Sequence, residues 1–193
     1  MESNIISMRV ISGKLKGKQL FLMDSSITRP LKDIVRESIF NVILHSNLIN
    51  LSIENSTVLD LYSGTGSFGI ECISRGAKKV TFVENNKQAI EILDKNLEKL
   101  SIKNKASLFP QKIESFLSQA GKDNKFDIIF FDPPFTEKKF TNELKTIKKL
   151  KIFNKTNLII IHRDAKKAEN FDGMLKVIIT KKYGRSKIIF GMI

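Results

Sequence analysis

Apolar and polar positions change period along this chain, and the change separates strands from helices. Thr57-Val58-Leu59-Asp60-Leu61-Tyr62 and Phe126-Asp127-Ile128-Ile129-Phe130-Phe131-Asp132 are short apolar runs rich in β-branched and aromatic side chains. Such runs predict buried strands over 57–62 and 126–132. Further strands are predicted at 80–84, 106–109 and 157–162. Helical spacing predicts helices over 67–75, 86–100, 112–119 and 137–149. After Arg29-Pro30, the residues Leu31, Ile34, Val35, Ile39, Val42 and Ile43 form a helical stripe over 31–45. Residues 8–22 predict a short basic hairpin bent at Gly13 and Gly17. Two last strands, 175–180 and 187–192, are joined by 181–186, too short a connection for a parallel crossover. Alternating strands and helices that end in a hairpin predict an α/β fold, with a mostly parallel sheet and one antiparallel strand. The chain divides into an N-terminal hairpin-and-helix extension, 1–50, and a main domain, 51–193.

The pattern breaks most sharply at Asp132-Pro133-Pro134-Phe135. Two prolines end the strand and stiffen the turn after it. A carboxylate, a rigid backbone and an aromatic ring thus stand at the carboxyl end of a strand, the edge where open α/β sheets bind ligands. This set can grip a planar base that carries an exocyclic amine. The plainer alternative is a surface turn that caps a helix.

A second break is Gly64-x-Gly66-x-x-Gly69, between a predicted strand and a predicted helix, with Glu84 at the end of the next strand. By pattern this fits a dinucleotide fingerprint. Asp60 argues against a pyrophosphate, because a carboxylate just before the turn repels an anion. It attracts a cation instead, such as the sulfonium and ammonium of S-adenosylmethionine. Glu84 would then accept hydrogen bonds from ribose hydroxyls. A nicotinamide-dependent oxidoreductase remains the alternative from another enzyme class.

Charge changes the picture more than composition does. The net charge is +13, and residues 138–193 hold 15 basic and 4 acidic side chains, leaving only +2 on the first 137. So lopsided a balance points to a polyanionic partner, with a lysine-biased composition as the plain alternative. The basic groups expected to meet phosphate are Lys14, Lys16 and Lys18, alternating on the first hairpin, then Arg29 and Arg36, then Lys181, Lys182, Arg185 and Lys187. One cysteine, Cys72, excludes an internal disulfide framework. It reads as a buried thiol in a reducing compartment, and the cytoplasm is the expectation. No apolar run approaches the roughly 20 residues that cross a bilayer, and Met1-Glu2-Ser3-Asn4 does not open a signal peptide. His45 and His162 are too isolated for a metal pair, so packing or surface roles are expected and no metal is.

With both motifs in hand, the chain resembles class I methyltransferases. More narrowly it resembles the bacterial 16S ribosomal RNA guanine-N2 methyltransferase family. The likeness covers Arg9-Val10-Ile11-Ser12-Gly13, Arg29-Pro30, Val35-Arg36-Glu37-Ser38-Ile39-Phe40-Asn41, the glycine loop, Asp132-Pro133-Pro134-Phe135 and Tyr183-Gly184. The resemblance implies a Rossmann-like, seven-stranded sheet and S-adenosylmethionine as cofactor. It implies cofactor contacts from Asp60, Tyr62, Ser63, Gly64, Thr65, Gly66, Glu84, Asn85 and Asp132. It implies catalysis by Asp132, Pro133, Pro134 and Phe135. The substrate it implies is a small-subunit rRNA guanine, presented in a partly or fully assembled 30S subunit, with the enzyme a monomer. The sequence departs from the family pattern at Leu31, Ile34 and Lys112-Ile113. Asp at 132 suits guanine, whose N1–H and N2 amine are both donors, because a carboxylate only accepts. Adenine N6 methylation of DNA or RNA is the alternative reaction.

Overall fold

The computed structural model describes residues 8–23, 31–121, 124–137 and 139–193. In chain order the elements are β1 (Met8–Arg9), β2 (Gln19–Leu20), α1 (Asp33–His45), β3 (Thr57–Leu61), α2 (Ser67–Ser74), β4 (Lys79–Glu84) and α3 (Lys87–Lys99). They continue as β5 (Ala106–Pro110), α4 (Ile113–Gln119), β6 (Phe126–Phe131), α5 (Phe140–Leu150), β7 (Phe153–Asp164), β8 (Lys176–Tyr183) and β9 (Ser186–Met192). β1 and β2 pair alone, and the other seven strands form one sheet in the order β5-β4-β3-β6-β7-β9-β8. Within it only β9 runs against its neighbours. This is the predicted α/β architecture, with its single antiparallel strand and its C-terminal hairpin.

Both faces of the sheet are covered, which is why its central strands read as nearly unbroken apolar runs. Alternate residues of each strand serve opposite faces. Val58, Phe82, Ile128, Phe130 and Ile160 fall in one apolar cluster with Phe40 of α1, Phe68 of α2 and Leu93 of α3. Leu59, Leu61, Val83, Ile129, Phe131 and Ile161 fall in a second, with Phe116 of α4 and Leu144 and Ile147 of α5. In the first cluster Phe68 stacks on Phe130 at 4.0 Å and on Phe40 at 5.4 Å. Such pairs add about 0.5–1.5 kcal/mol beyond the area they bury.

The N-terminal extension shares this core. Val10, Leu20, Leu31, Val35 and Ile39 belong to the same cluster as Phe130. Its hairpin is pinned to α2, where Glu71 accepts the Ile11 and Ser12 N–H groups at 2.8 and 2.9 Å. Gly13 sits at φ +81, and a Cβ there would come within 2.0 Å of the Ser74 carbonyl oxygen, so only glycine fits.

Three expectations need correction. β1 and β2 are two residues each, so Lys14 and Lys16 lie in the turn between them and strand alternation does not set their side. α5 begins at Phe140 rather than 137, because Pro134 O accepts the Glu137 N–H at 2.8 Å and closes a turn first. The last hairpin turns over Gly184-Arg185, with Tyr183 opposite Ser186, far tighter than a six-residue link. Gly184 at φ +56 supplies the bend. Cys72 is buried, as predicted. Among the described residues, no helix is long and apolar enough to cross a membrane.

Candidate active site

The sheet reverses its winding at β3, which has β4 on one side and β6 on the other. A crevice opens at the carboxyl ends of strands at such a point. The chain leaves β3 through Tyr62, at φ +59, then Gly64 at +53 and Gly66 at +86, and enters α2 at Ser67. A Cβ on Gly66 would lie 2.3 Å from Leu93 Cδ1, and the backbone there is left-handed, so glycine is required. Asp60 lies beneath this loop, 1% exposed, and its Oδ2 accepts the Gly69 N–H at 2.9 Å. Its carboxyl is pushed well above the usual range, chiefly by burial, with the charges of Asp132 and Glu84 adding to the rise. Carboxylates from two neighbouring strand ends therefore act on buried Asp60.

Glu84 closes the loop from the side. Its Oε2 accepts the Gly64 N–H at 2.8 Å, and Oε1 accepts from Asn85 and Asn86 N–H at 2.8 and 2.9 Å. Beside it lies a cleft of about 160 Å³ lined by Tyr62, Glu84, Asn85, Gln111, Ile113, Glu137 and Glu143, among others. The Tyr62 hydroxyl donates to both oxygens of Glu143, at 2.9 and 2.8 Å. Glu143 is pushed up to about 7, mainly by burial, against the lowering effect of that bond. The Tyr62 phenol is raised as well, by burial and by the Glu143 charge. Ser63 Oγ and Gln111 Nε2 are shut from solvent and have no hydrogen-bond partner. Unpaired buried polar atoms beside a cleft mark a place where a ligand can complete them. Thr65 and Asn85 stand on the two loops, with Asn85 exposed.

Asp132 follows β6, and its N–H donates to Leu61 O at 3.4 Å, so the second motif meets the first. Pro133 is buried, Pro134 exposed and Phe135 partly exposed. β7 holds this loop. His162 Nδ1 lies 2.7 Å from Asp132 Oδ1, and its ring meets Phe135 edge-on at 5.3 Å. His162 Nε2 is buried without a partner. A proton on that nitrogen would be an unpaired buried donor, at a cost of about 1–3 kcal/mol. A proton on Nδ1 instead makes a charge-assisted bond to Asp132, and this tautomer is assigned on that ground. The next residue, Arg163, is 2% exposed and donates to the carbonyls of Pro134 at 3.1 Å, Phe135 at 3.4 Å and Glu137 at 3.0 Å. Glu169 balances its charge at 2.8 Å. Lys167 Nζ donates to Phe135 O as well. Sequence reasoning gave His162 a packing or surface role and did not single out Arg163. The only local sign was two basic residues ending an apolar strand.

The residues expected to meet phosphate separate into two groups. Lys14, Lys16, Lys18, Lys181, Lys182 and Arg185 are exposed. Arg36 is a correction. It is fully buried, donating to Arg9 O and to Asp33 Oδ1 at 3.0 Å, and burial lowers its pKa. Lys187 is a second correction, at 8% exposure with its ammonium on Lys167 O. Arg29 and Pro30 lie outside the described residues. No group of three or more His, Cys, Asp or Glu among the described residues can hold a metal ion.

Known proteins are similar to this chain in fold and sequence. The family model described as Conserved hypothetical protein 95 matches residues 8–192. YlbH of Bacillus subtilis is 35% identical over 158 residues, 81% of this chain and 83% of that protein. Ribosomal RNA small subunit methyltransferase D of Haemophilus influenzae is 38% identical over 128 residues, 66% of this chain and 63% of its own length. The solved structure of yhhF from Escherichia coli superposes with a TM-score of 0.82 at 25% identity, covering 96% of this chain and 97% of that one. The chain belongs to the Conserved hypothetical protein 95 family, within the class I S-adenosylmethionine-dependent methyltransferases.

Proposed function

We propose that this chain methylates the N2 amine of a guanine in small-subunit ribosomal RNA. Its cofactor is S-adenosylmethionine, which when bound supplies a methyl group activated by a sulfonium. The residues present fit that cofactor. Glu84 presents carboxylate oxygens at the strand end, Asp60 lies under the glycine loop within reach of the Asp132 and Glu84 charges, and Ser63 Oγ and Gln111 Nε2 lack partners. The observation that carries the reading is Asp132, one oxygen tied to His162, beside the partly exposed Phe135 ring and next to the glycine loop.

The amine of guanine is a poor nucleophile, because its lone pair is delocalised into the ring. Asp132 and the carbonyl of Pro133 accept hydrogen bonds from the amine and draw it toward tetrahedral geometry. The same acceptors stabilise the positive charge that grows on nitrogen. The Asp132 carboxylate takes the proton that nitrogen releases. Phe135 stacks on a base presented single-stranded or flipped. The exposed Lys14, Lys16, Lys18, Lys181, Lys182 and Arg185 hold phosphates and position the RNA without reading it.

Relatives named ribosomal RNA small subunit methyltransferase D support the substrate class. Asp rather than Asn at 132 supports guanine, since its edge offers only donors there. The test supplies labelled methyl donor with small-subunit rRNA, free and in partly assembled subunits, and with oligonucleotides that offer guanine or adenine as the only acceptor. Label on guanine-containing substrates upholds the proposal, and label confined to adenine replaces it with N6 methylation.

A further inference from the structure

His162 is one rung beyond the last β6–β7 pairing, Phe131 with Ile161, so it and Asp132 face each other across adjacent strand ends. It is 6% exposed. Its Nδ1 sits 2.7 Å from Asp132 Oδ1, and its ring edge supports Phe135 at 5.3 Å. One imidazole therefore touches both groups assigned to the acceptor base, the carboxylate and the stacking ring. From these contacts we infer that His162 is a positioning residue for the methyl-acceptor subsite. The inference rests on the role given to Asp132 above.

The physical argument concerns rotational freedom. Asp132 leaves the sheet at the start of a loop, where its carboxylate has two free torsions and is 23% exposed on its side chain. The Nδ1–H bond ties one oxygen and so limits where the other can turn. Two prolines and the Arg163 bonds already hold the backbone. His162 completes the restraint on the side chain. Misplacing a reacting group by about 1 Å can cost roughly 100-fold in rate, so the restraint acts on turnover. The cleft beside Glu84 is lined by the β3, β4 and β5 ends together with Glu137, Lys139 and Glu143, and His162 is not among its lining residues.

The experiment compares His162→Leu, which keeps bulk and loses the donor, with His162→Asn, which keeps a donor at a similar reach. Turnover and KM on rRNA are measured together with S-adenosylhomocysteine affinity by calorimetry. The expected result is a roughly 10–100-fold fall in kcat for His162→Leu. S-adenosylhomocysteine affinity should stay within about twofold, and His162→Asn should recover most of the loss. Asp132→Ala and the double variant Asp132→Ala/His162→Leu run alongside. If His162 acts through Asp132, the double variant is no slower than Asp132→Ala alone. Unchanged kcat in His162→Leu, or His162→Asn as slow as His162→Leu, overturns the inference. Should His162→Leu fail to fold, a fall in kcat for His162→Asn to the level of Asp132→Ala overturns it as well. Retained turnover in Asp132→Ala would instead defeat the reading on which the inference rests.

Discussion

Asp60 and Asp132 stand at the ends of adjacent parallel strands, and the Asp132 charge adds to the burial that raises Asp60, yet their surroundings differ. Asp60 is 1% exposed and bonded to a backbone amide nine residues ahead, so its partner is local and its effect is on the shape of the glycine loop. Asp132 keeps part of its carboxylate exposed and takes its partner from a strand 30 residues away. The cofactor side of the site is thus made by short-range backbone bonds and glycine conformations. The acceptor side is made by long-range side chains, His162, Arg163 and Lys167, that grip a stiff loop. A carboxylate at a strand end can serve the fold or the substrate, and its exposure and the reach of its partner separate the two.

That contrast can be broken. The largest effect belongs to Asp132→Ala, which should cut methyl transfer to rRNA by roughly 10²–10⁴-fold, while S-adenosylhomocysteine affinity stays within about twofold. Single-turnover kinetics and calorimetry check the two halves. Asp60→Ala should reverse the weighting. With Gly69 N–H left unpaired and buried, the fold should lose about 1–3 kcal/mol in urea denaturation, and S-adenosylhomocysteine should bind about 10-fold more weakly as the loop loosens. Equal loss of cofactor affinity in both variants would erase the distinction.

Two smaller effects sharpen it. Glu143 rises to about 7 in the folded protein from 4.5. A raised carboxyl gives stability that is full below pH 4.5 and fades as pH climbs through 7. Glu143→Gln keeps an acceptor for Tyr62 but removes this term. Its melting temperature should gain on the wild type between pH 4.5 and 8, by roughly 2–4 °C for each kcal/mol involved. Scanning calorimetry across that range checks it, and parallel curves would contradict it. Arg185→Ala, at the exposed last turn, should weaken rRNA binding alike for all sequences. It should lower the slope of log affinity against log salt by about 0.7, one phosphate contact on single-stranded RNA.

The cofactor side was legible in the residue order because its determinants are local. A strand, Gly64, Gly66 and Gly69, then a helix and Glu84, all fall within 28 residues of Thr57. The mostly parallel sheet was legible too, since doubly buried strands carry unbroken apolar runs that flanking glycines and prolines delimit. Asp132-Pro133-Pro134-Phe135 announced itself, but the grip on it did not. His162 and Arg163 meet the loop only because β7 lies beside β6, and one sequence has no signal for that side-chain register. Arg36 misled for a related reason. A lone arginine at a helix start reads as solvated until a hairpin folds over it and offers the Arg9 carbonyl. The polar start of β7, Asn154-Lys155-Thr156, escaped notice because it carries no apolar pattern and lies where the pairing with β6 shifts register, between the Phe126–Phe153 and Ile128–Leu158 partners.

The most direct test of the whole account is mass mapping of nucleosides in small-subunit rRNA treated with the wild-type protein and with Asp132→Ala. The account predicts N2-methylguanosine from the wild type and its loss in the variant. N6-methyladenosine, or N2-methylguanosine at equal yield from both proteins, would contradict it.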